Sequence, residues 1–298
     1  MHSHSINSRR FLAVTLLNLV ITAVEIVGGL LSGSLSLLSD AIHNLGDSFS
    51  ILLGFCAQEI SSRPENEKRT FGYRRAEILA ALLNALFLII ISIFLVVEAI
   101  ERFSNPSPID GPIMLGVAIV GLLANLASAW LLHQGSDSSL NIKATYLHVL
   151  SDALSSIGVI IGGVIITVTN ITWVDPLITI VVAIYICIKS WPIVHKTISI
   201  LMQSSPKLDY SAIKQDILQI DGIVSVHHIH AWMIDEQRII FSAHINLHDI
   251  KLSEVEPIYL EIEDLLHSKY KIGHITIQAE VERGLNESLF NTTADKEE

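Results

Sequence analysis

Charge is scarce in this chain. Only 16% of its 298 residues are Asp, Glu, Lys or Arg, where a soluble protein carries about a quarter. Cysteine is nearly absent: Cys56 and Cys187 are the two, both inside apolar runs. That leaves no disulfide framework and no CxxC metal knuckle. The balance of charge is acidic, at −11 net, and from residue 203 onward 17 acidic residues outnumber 8 basic ones. Phosphate contacts need basic clusters, so nucleic acid is excluded as a partner and a solvated acidic segment is the plain reading. There is no HExxH, which an intramembrane metalloprotease would want. No nucleophile–base set and no nucleotide loop stands out either.

Long apolar runs are what the chain has in quantity; half of its residues are hydrophobic. Six segments, near 11–32, 37–60, 76–100, 112–133, 145–169 and 174–191, are each long enough to cross a bilayer. No cleavage-like site follows the first, so it reads as a retained helix rather than a removed signal. Turn and charge signals mark the breaks, among them "SGS" at 32–34, "SSRPENEKR" at 61–69 and "SNPSPIDGP" at 104–112. Basic residues crowd alternate ends: Arg9 and Arg10, then Arg63, Lys68, Arg69, Arg74 and Arg75, then Lys143, then Lys189 and Lys196. The positive-inside bias places both termini in the cytoplasm. The loop cluster from Lys68 to Arg75 reads as an anchor at the inner lipid surface.

After residue 203 the pattern changes. Helix signals over 208–219 and 253–269, and strand signals over 223–234, 238–248 and 273–282, predict a two-layer α+β unit in the order αββαβ. The expected organisation is a tail over 1–10, a six-helix membrane domain over 11–202, a cytoplasmic domain over 203–284 and a disordered tail over 285–298.

Two of the apolar runs carry titratable residues at the same spacing: "HNLGD" holds His43 and Asp47, and "HVLSD" holds His148 and Asp152. A charged side chain deep in a bilayer costs about 2.5–3.5 kcal/mol for Asp, so such a residue is a functional-site candidate by default. Positions i and i+4 share one helix face. Two such pairs on facing helices would offer two imidazole nitrogens and two carboxylate oxygens, a set that suits tetrahedral Zn²⁺. One pair alone would read as a hydrogen-bonded pair at a wet crevice. Asp40, three residues before His43, is close to the same face and reads as a polar helix partner or an accessory ligand. Glu25 reads as an interhelical hydrogen-bond acceptor. Gly158 and Gly162 form a GxxxG that would permit close helix approach.

The segments "SGSLSLLSDAIHNLGD", "FGYRRAEILAALLNA", "ERF", "LHVLSDALSSIGV" and "VHHIHAWMI" together resemble the cation diffusion facilitator family, in its zinc-transporting bacterial branch. The resemblance covers nearly the whole chain in the same order. It implies six transmembrane helices, a C-terminal cytoplasmic α+β ferredoxin-like domain, a homodimer in the bacterial inner membrane, and export of Zn²⁺ driven by inward H⁺ movement. It carries the transport ligands over to His43, Asp47, His148 and Asp152. His rather than Asp at position 43 goes with zinc or zinc/cadmium transport. The alternatives are export of Cd²⁺, Co²⁺ or Ni²⁺ by the same fold, and a membrane metal sensor. No prosthetic group is implied.

The C-terminal part is rich in histidine. If "DEQ" closes a simple hairpin, His228 faces His244; a one-residue slip brings His227 opposite His244 instead. The resemblance favours His227 and His244 as ligands of a regulatory Zn²⁺, with Glu280 as a third. His228 and His230 are accessory candidates.

Overall fold

The computed structural model describes the backbone of residues 2–133 and 140–290, and the side chains of 14–50, 52–131, 149, 150 and 152–290. Six long helices come first: α1 (His2–Ser32), α2 (Leu35–Ser61), α3 (Arg75–Ser104), α4 (Gly111–His133), α5 (Leu140–Thr169) and α6 (Val174–Leu201). Among the described residues, five of them contain a stretch long and apolar enough to cross a membrane. The sixth, α2, is diluted by its serines and by Asp40, His43, Asn44 and Asp47. Its polar side chains turn inward, with Ser36, Ser39, Asp40 and Asn44 buried, while Leu45, Phe49, Leu52 and Phe55 are exposed. That inside-out pattern suits a helix whose outer solvent is lipid. The chain is a multi-pass membrane protein.

Helix ends follow local chemistry. Gly33 takes a left-handed φ of 71° between α1 and α2, and a Cβ there would come within 2.8 Å of the Pro108 carbonyl. The Asp110 carboxylate accepts from the Ile113 N–H at 3.0 Å and caps α4. The structure departs from expectation at two helix limits. α1 begins at His2, so the helix includes most of the ten residues expected as a tail. α6 extends ten residues past the apolar run and carries Pro192 inside. Close approach on α5 also differs from the GxxxG reading. A Cβ on Gly158 would meet nothing, whereas one on Gly162 would strike Ile178 at 2.4 Å and one on Gly163 would press on the Leu115 backbone at 3.4 Å.

The chain divides into two compact units, residues 1–56 with 80–194, and 57–79 with 195–298. The second contains α7 (Tyr210–Ile217), β1 (Ile223–Met233), β2 (Ile239–Leu247), α8 (Leu252–Tyr270) and β3 (His274–Glu280). The sheet order is β1-β2-β3. β1 and β2 are antiparallel; β2 and β3 are parallel, joined by α8. Phe241, Ala243, Ile245 and Leu247 point to the helices and pack with Ile213, Ile217, Ile262 and Leu266 in the core. By strand alternation Ser242, His244 and Asn246 lie on the opposite face. Residues 285–290 were expected in a disordered tail. They instead fold back on β1, where the Ile229 N–H donates to the Leu289 carbonyl at 2.9 Å and Phe290 sits edge-on to Tyr210. The rest of that tail, 291–298, lies outside the described residues.

Candidate metal centres

Two groups of potential ligands come together among the described residues, one in each unit. In the first, α2 presents His43 and Asp47 one turn apart, and α5 presents Asp152. One donor atom from each lies within 4.8 Å of the other two. His43 Nε2 is 3.5 Å from Asp152 Oδ1 and 3.9 Å from Asp47 Oδ2. His148 stands on α5 one turn before Asp152, and its side chain lies outside the described residues. Three oxygen and nitrogen donors at such spacing are a geometry for a divalent cation.

Buried polar groups support this face of α2 from three helices. Asp40 is not one of these three donors; its Oδ2 accepts from Ser156 Oγ on α5 at 3.1 Å. Glu25 on α1 accepts from Asn44 Nδ2 at 2.8 Å, and Asn18 Nδ2 reaches the Asn44 carbonyl and Ser48 Oγ at 3.3 Å each. A polar position in lipid needs such partners, because water is not there to supply them. The start of α2 is fixed by Asp175, the second residue of α6, which is fully buried. This contact has no signal in the one-dimensional pattern.

The second group is His227, His244 and Glu280. An irregularity in β1 decides its geometry. It lies between His227 and His230, and at His228 the backbone takes φ 52°. The extra residue is a β-bulge. It shifts the register, so that His227 pairs with His244 rather than His228 as an unbulged hairpin would have it. Glu280, opposite Asn246 on β3, reaches both rings: Oε2 is 3.3 Å from His227 Nε2, and Oε1 is 3.2 Å from His244 Nδ1. His227 is buried, and neither of its ring nitrogens makes a hydrogen bond. A buried imidazole without a hydrogen bond is costly unless something else engages it, and a metal ion between these donors would do so. Burial lowers the His244 pKa below the ordinary histidine value; Glu280 opposes this, while His228 and His227 add to it. A neutral ring is the form that ligates metal.

The bulge also turns His228 onto His244, with ring centroids 4.7 Å apart and stacked, and His230 lies 4.8 Å from His228. The segment after β3 covers this face. Asn246 Nδ2 donates to the Val281 and Arg283 carbonyls at 3.2 and 2.8 Å. Gly284, at φ 68°, lies so close that a Cβ there would be 2.2 Å from His227 Nε2. Gln278 donates to Glu280 Oε1 at 2.6 Å and so orients the carboxylate.

Residues 11–202 match the family model described as cation efflux transmembrane domain, and residues 205–282 match the cation efflux protein, cytoplasmic domain. The chain is 39% identical over 277 residues to the zinc transporter ZitB of Escherichia coli (strain K12), covering 92% of this chain and 88% of the relative. It is 41% identical over 263 residues to the cadmium, cobalt and zinc/H(+)-K(+) antiporter of Bacillus subtilis (strain 168), covering 87% and 84%. It is 36% identical over 282 residues to the metal cation efflux system protein CzcD of Cupriavidus metallidurans, covering 94% and 89%.

Proposed function

The chain belongs to the cation efflux family of membrane transporters, and on that premise we propose that it exports Zn²⁺ from the cytoplasm in exchange for protons, holding the ion at His43, Asp47, His148 and Asp152. The convergence of His43, Asp47 and Asp152 from two helices carries this reading. His148 completes a tetrahedral set by its place one turn before Asp152. In this reading residues 11–202 are the transport domain, and residues 203–284 are the cytoplasmic domain through which two copies pair. The chain lies in the inner membrane of a bacterium with both termini in the cytoplasm; the crowding of Arg and Lys at alternate loops supports that orientation.

Zn²⁺ is the cargo. Its ligands must be neutral imidazole and ionised carboxylate, so protons and metal compete for the same groups. Histidine titrates near neutral pH, within reach of a modest gradient. Because α2 and α5 each supply a pair, movement of one helix against the other opens the site to one side and then the other. His227, His244 and Glu280 hold a second, regulatory Zn²⁺ in the cytoplasmic domain. A broader divalent specificity is the second reading, favoured by the cadmium and cobalt in the name of the Bacillus subtilis relative. The same nitrogen and oxygen donors accept those ions.

Proteoliposomes with a zinc dye and a pH dye on opposite sides test the proposal. The expected result is zinc flux in one direction with proton flux in the other. Zinc flux without proton movement would overturn the antiport. Undiminished flux in Asp152→Ala would overturn the site.

A further inference from the structure

The segment between α2 and α3 helps enclose a cavity of about 410 Å³ whose lining includes Lys68, Arg69, Arg74 and Arg75. No acidic residue is in the lining. This is unexpected in a chain of net charge −11. Asp235 stands 3.8 Å from Arg74, and Arg69 lies over the Tyr73 ring at 5.9 Å. Among the described residues, no carboxylate forms an ion pair with Lys68, Arg69 or Arg75.

The turn that presents these cations is built, not loose. Asn66 Oδ1 accepts from the Lys68 and Arg69 N–H groups at 3.0 and 3.1 Å, and Asn66 Nδ2 donates to the Tyr73 hydroxyl at 3.1 Å. Like charges gathered at one concave site repel one another unless an anion joins them. The same charges would repel a divalent cation, so the cavity is not on the path of the transported ion. Its lining has an apolar part as well: Phe71 and Leu79 are among the exposed large hydrophobic residues, and Trp232 adds an indole ring. A lining that combines cations with apolar side chains matches an amphiphile better than a free ion.

We propose that this cavity binds the phosphate headgroup of an anionic phospholipid from the inner leaflet, with Lys68, Arg69 and Arg75 on the phosphate and Phe71 and Leu79 against the start of the acyl chains. The leaflet rests on the inward orientation proposed above; the headgroup chemistry does not. Such a lipid would tie the second loop to the membrane surface.

The full chain in detergent, given phosphatidylglycerol and phosphatidylcholine in equal amounts and read by native mass spectrometry, tests the site. Phosphatidylglycerol should be retained in preference. Arg75→Gln alone should weaken retention about fivefold, and Lys68→Gln with Arg69→Gln and Arg75→Gln should weaken it by about fivefold per charge. Lys251→Gln, which removes a cation outside the cavity, should leave it unchanged. Equal retention of the two lipids, or full retention by both Arg75→Gln and the triple variant, overturns the proposal. So does displacement of the lipid by millimolar inorganic phosphate, which would mark a soluble-anion site. For the leaflet, Glu67→Cys in a background of Cys56→Ala and Cys187→Ala is labelled with an impermeant thiol reagent. Labelling from the cytoplasmic face alone supports the inner leaflet. Labelling from the outer face overturns the orientation while leaving lipid selectivity to stand or fall by the first measurement.

Discussion

Asp175 holds Ser34 across the membrane domain. Its Oδ1 accepts from Ser34 Oγ at 2.5 Å and from the N–H and Oγ of Ser36 at 3.1 and 2.6 Å, while Oδ2 accepts from the Leu35 N–H at 2.7 Å. The first residue pairs of α6 and α2 are thereby joined by one carboxylate. Free N–H groups at a helix start favour an anion, and here the chain supplies its own. His43 lies two turns further along α2, so its position depends on this clamp.

Asp175→Asn replaces one acceptor oxygen with a donor facing the N–H and hydroxyl donors of α2. Bonds to a charged group contribute about 1.5–3 kcal/mol each, and the variant should lose about 3 kcal/mol of stability. Thermal unfolding in detergent measures this. Zinc flux should fall with it, while zinc binding to the cytoplasmic domain should not change.

Asp40 and Asp152 both stand in the tetrapeptide "LSDA", at 38–41 and 150–153, but not in the same surroundings. Asp152→Ala should abolish zinc transport. Asp40→Ala should leave zinc affinity within about threefold and lower turnover, because Asp40 bonds to Ser156 and acts through packing. Isothermal titration and flux on both variants separate the two roles.

In the cytoplasmic domain, His227→Ala or Glu280→Gln should weaken zinc binding at least about tenfold. Gly284→Ala should do the same without replacing a ligand. Its methyl would collide with the His227 ring at 2.2 Å, and its left-handed backbone disfavours any residue with a Cβ. Zinc titration of the three variants against wild type measures this; unchanged affinity in Gly284→Ala would mean that the cover is free to move aside.

Asp216 on α7 accepts from Lys269 Nζ at 2.5 Å and from the Tyr270 hydroxyl on α8. The bond from Lys269, then that from Tyr270, holds its carboxyl below the ordinary value of 3.8. A depressed folded pKa means that the ionised form is favoured by folding. The contribution is full above 3.8 and is lost as pH falls through the lower folded value. The melting difference between wild type and Asp216→Asn should therefore be constant near neutrality and shrink in acid. The same contact, after burial, pushes the Tyr270 hydroxyl up to about 12. In Asp216→Asn its ultraviolet titration should move down.

Much of this protein is legible one residue at a time. The apolar runs predict six long helices, because a bilayer demands about 20 apolar residues per crossing. Alternation predicts the three strands, because successive side chains point to opposite faces. The two His–Asp spacings mark the residues proposed for the transport site, since positions i and i+4 share a helix face. Helix limits at α1 and α6 were less legible, because hydropathy marks where lipid ends and not where backbone bonding stops.

What one dimension leaves undecided is which groups meet. The His227–His244 pairing depends on an extra residue in β1, and a bulge at His228 has no turn residue to announce it. Gly284 over His227 and Asp175 on Ser34 are contacts between residues far apart in the chain. The sequence by itself determined the elements and the chemistry each carries, because those follow from local periodicity and solvent. Only the tertiary structure decided register, cover and clamp, because each is a competition between partners that becomes definite when backbone groups leave water and must all be satisfied at once.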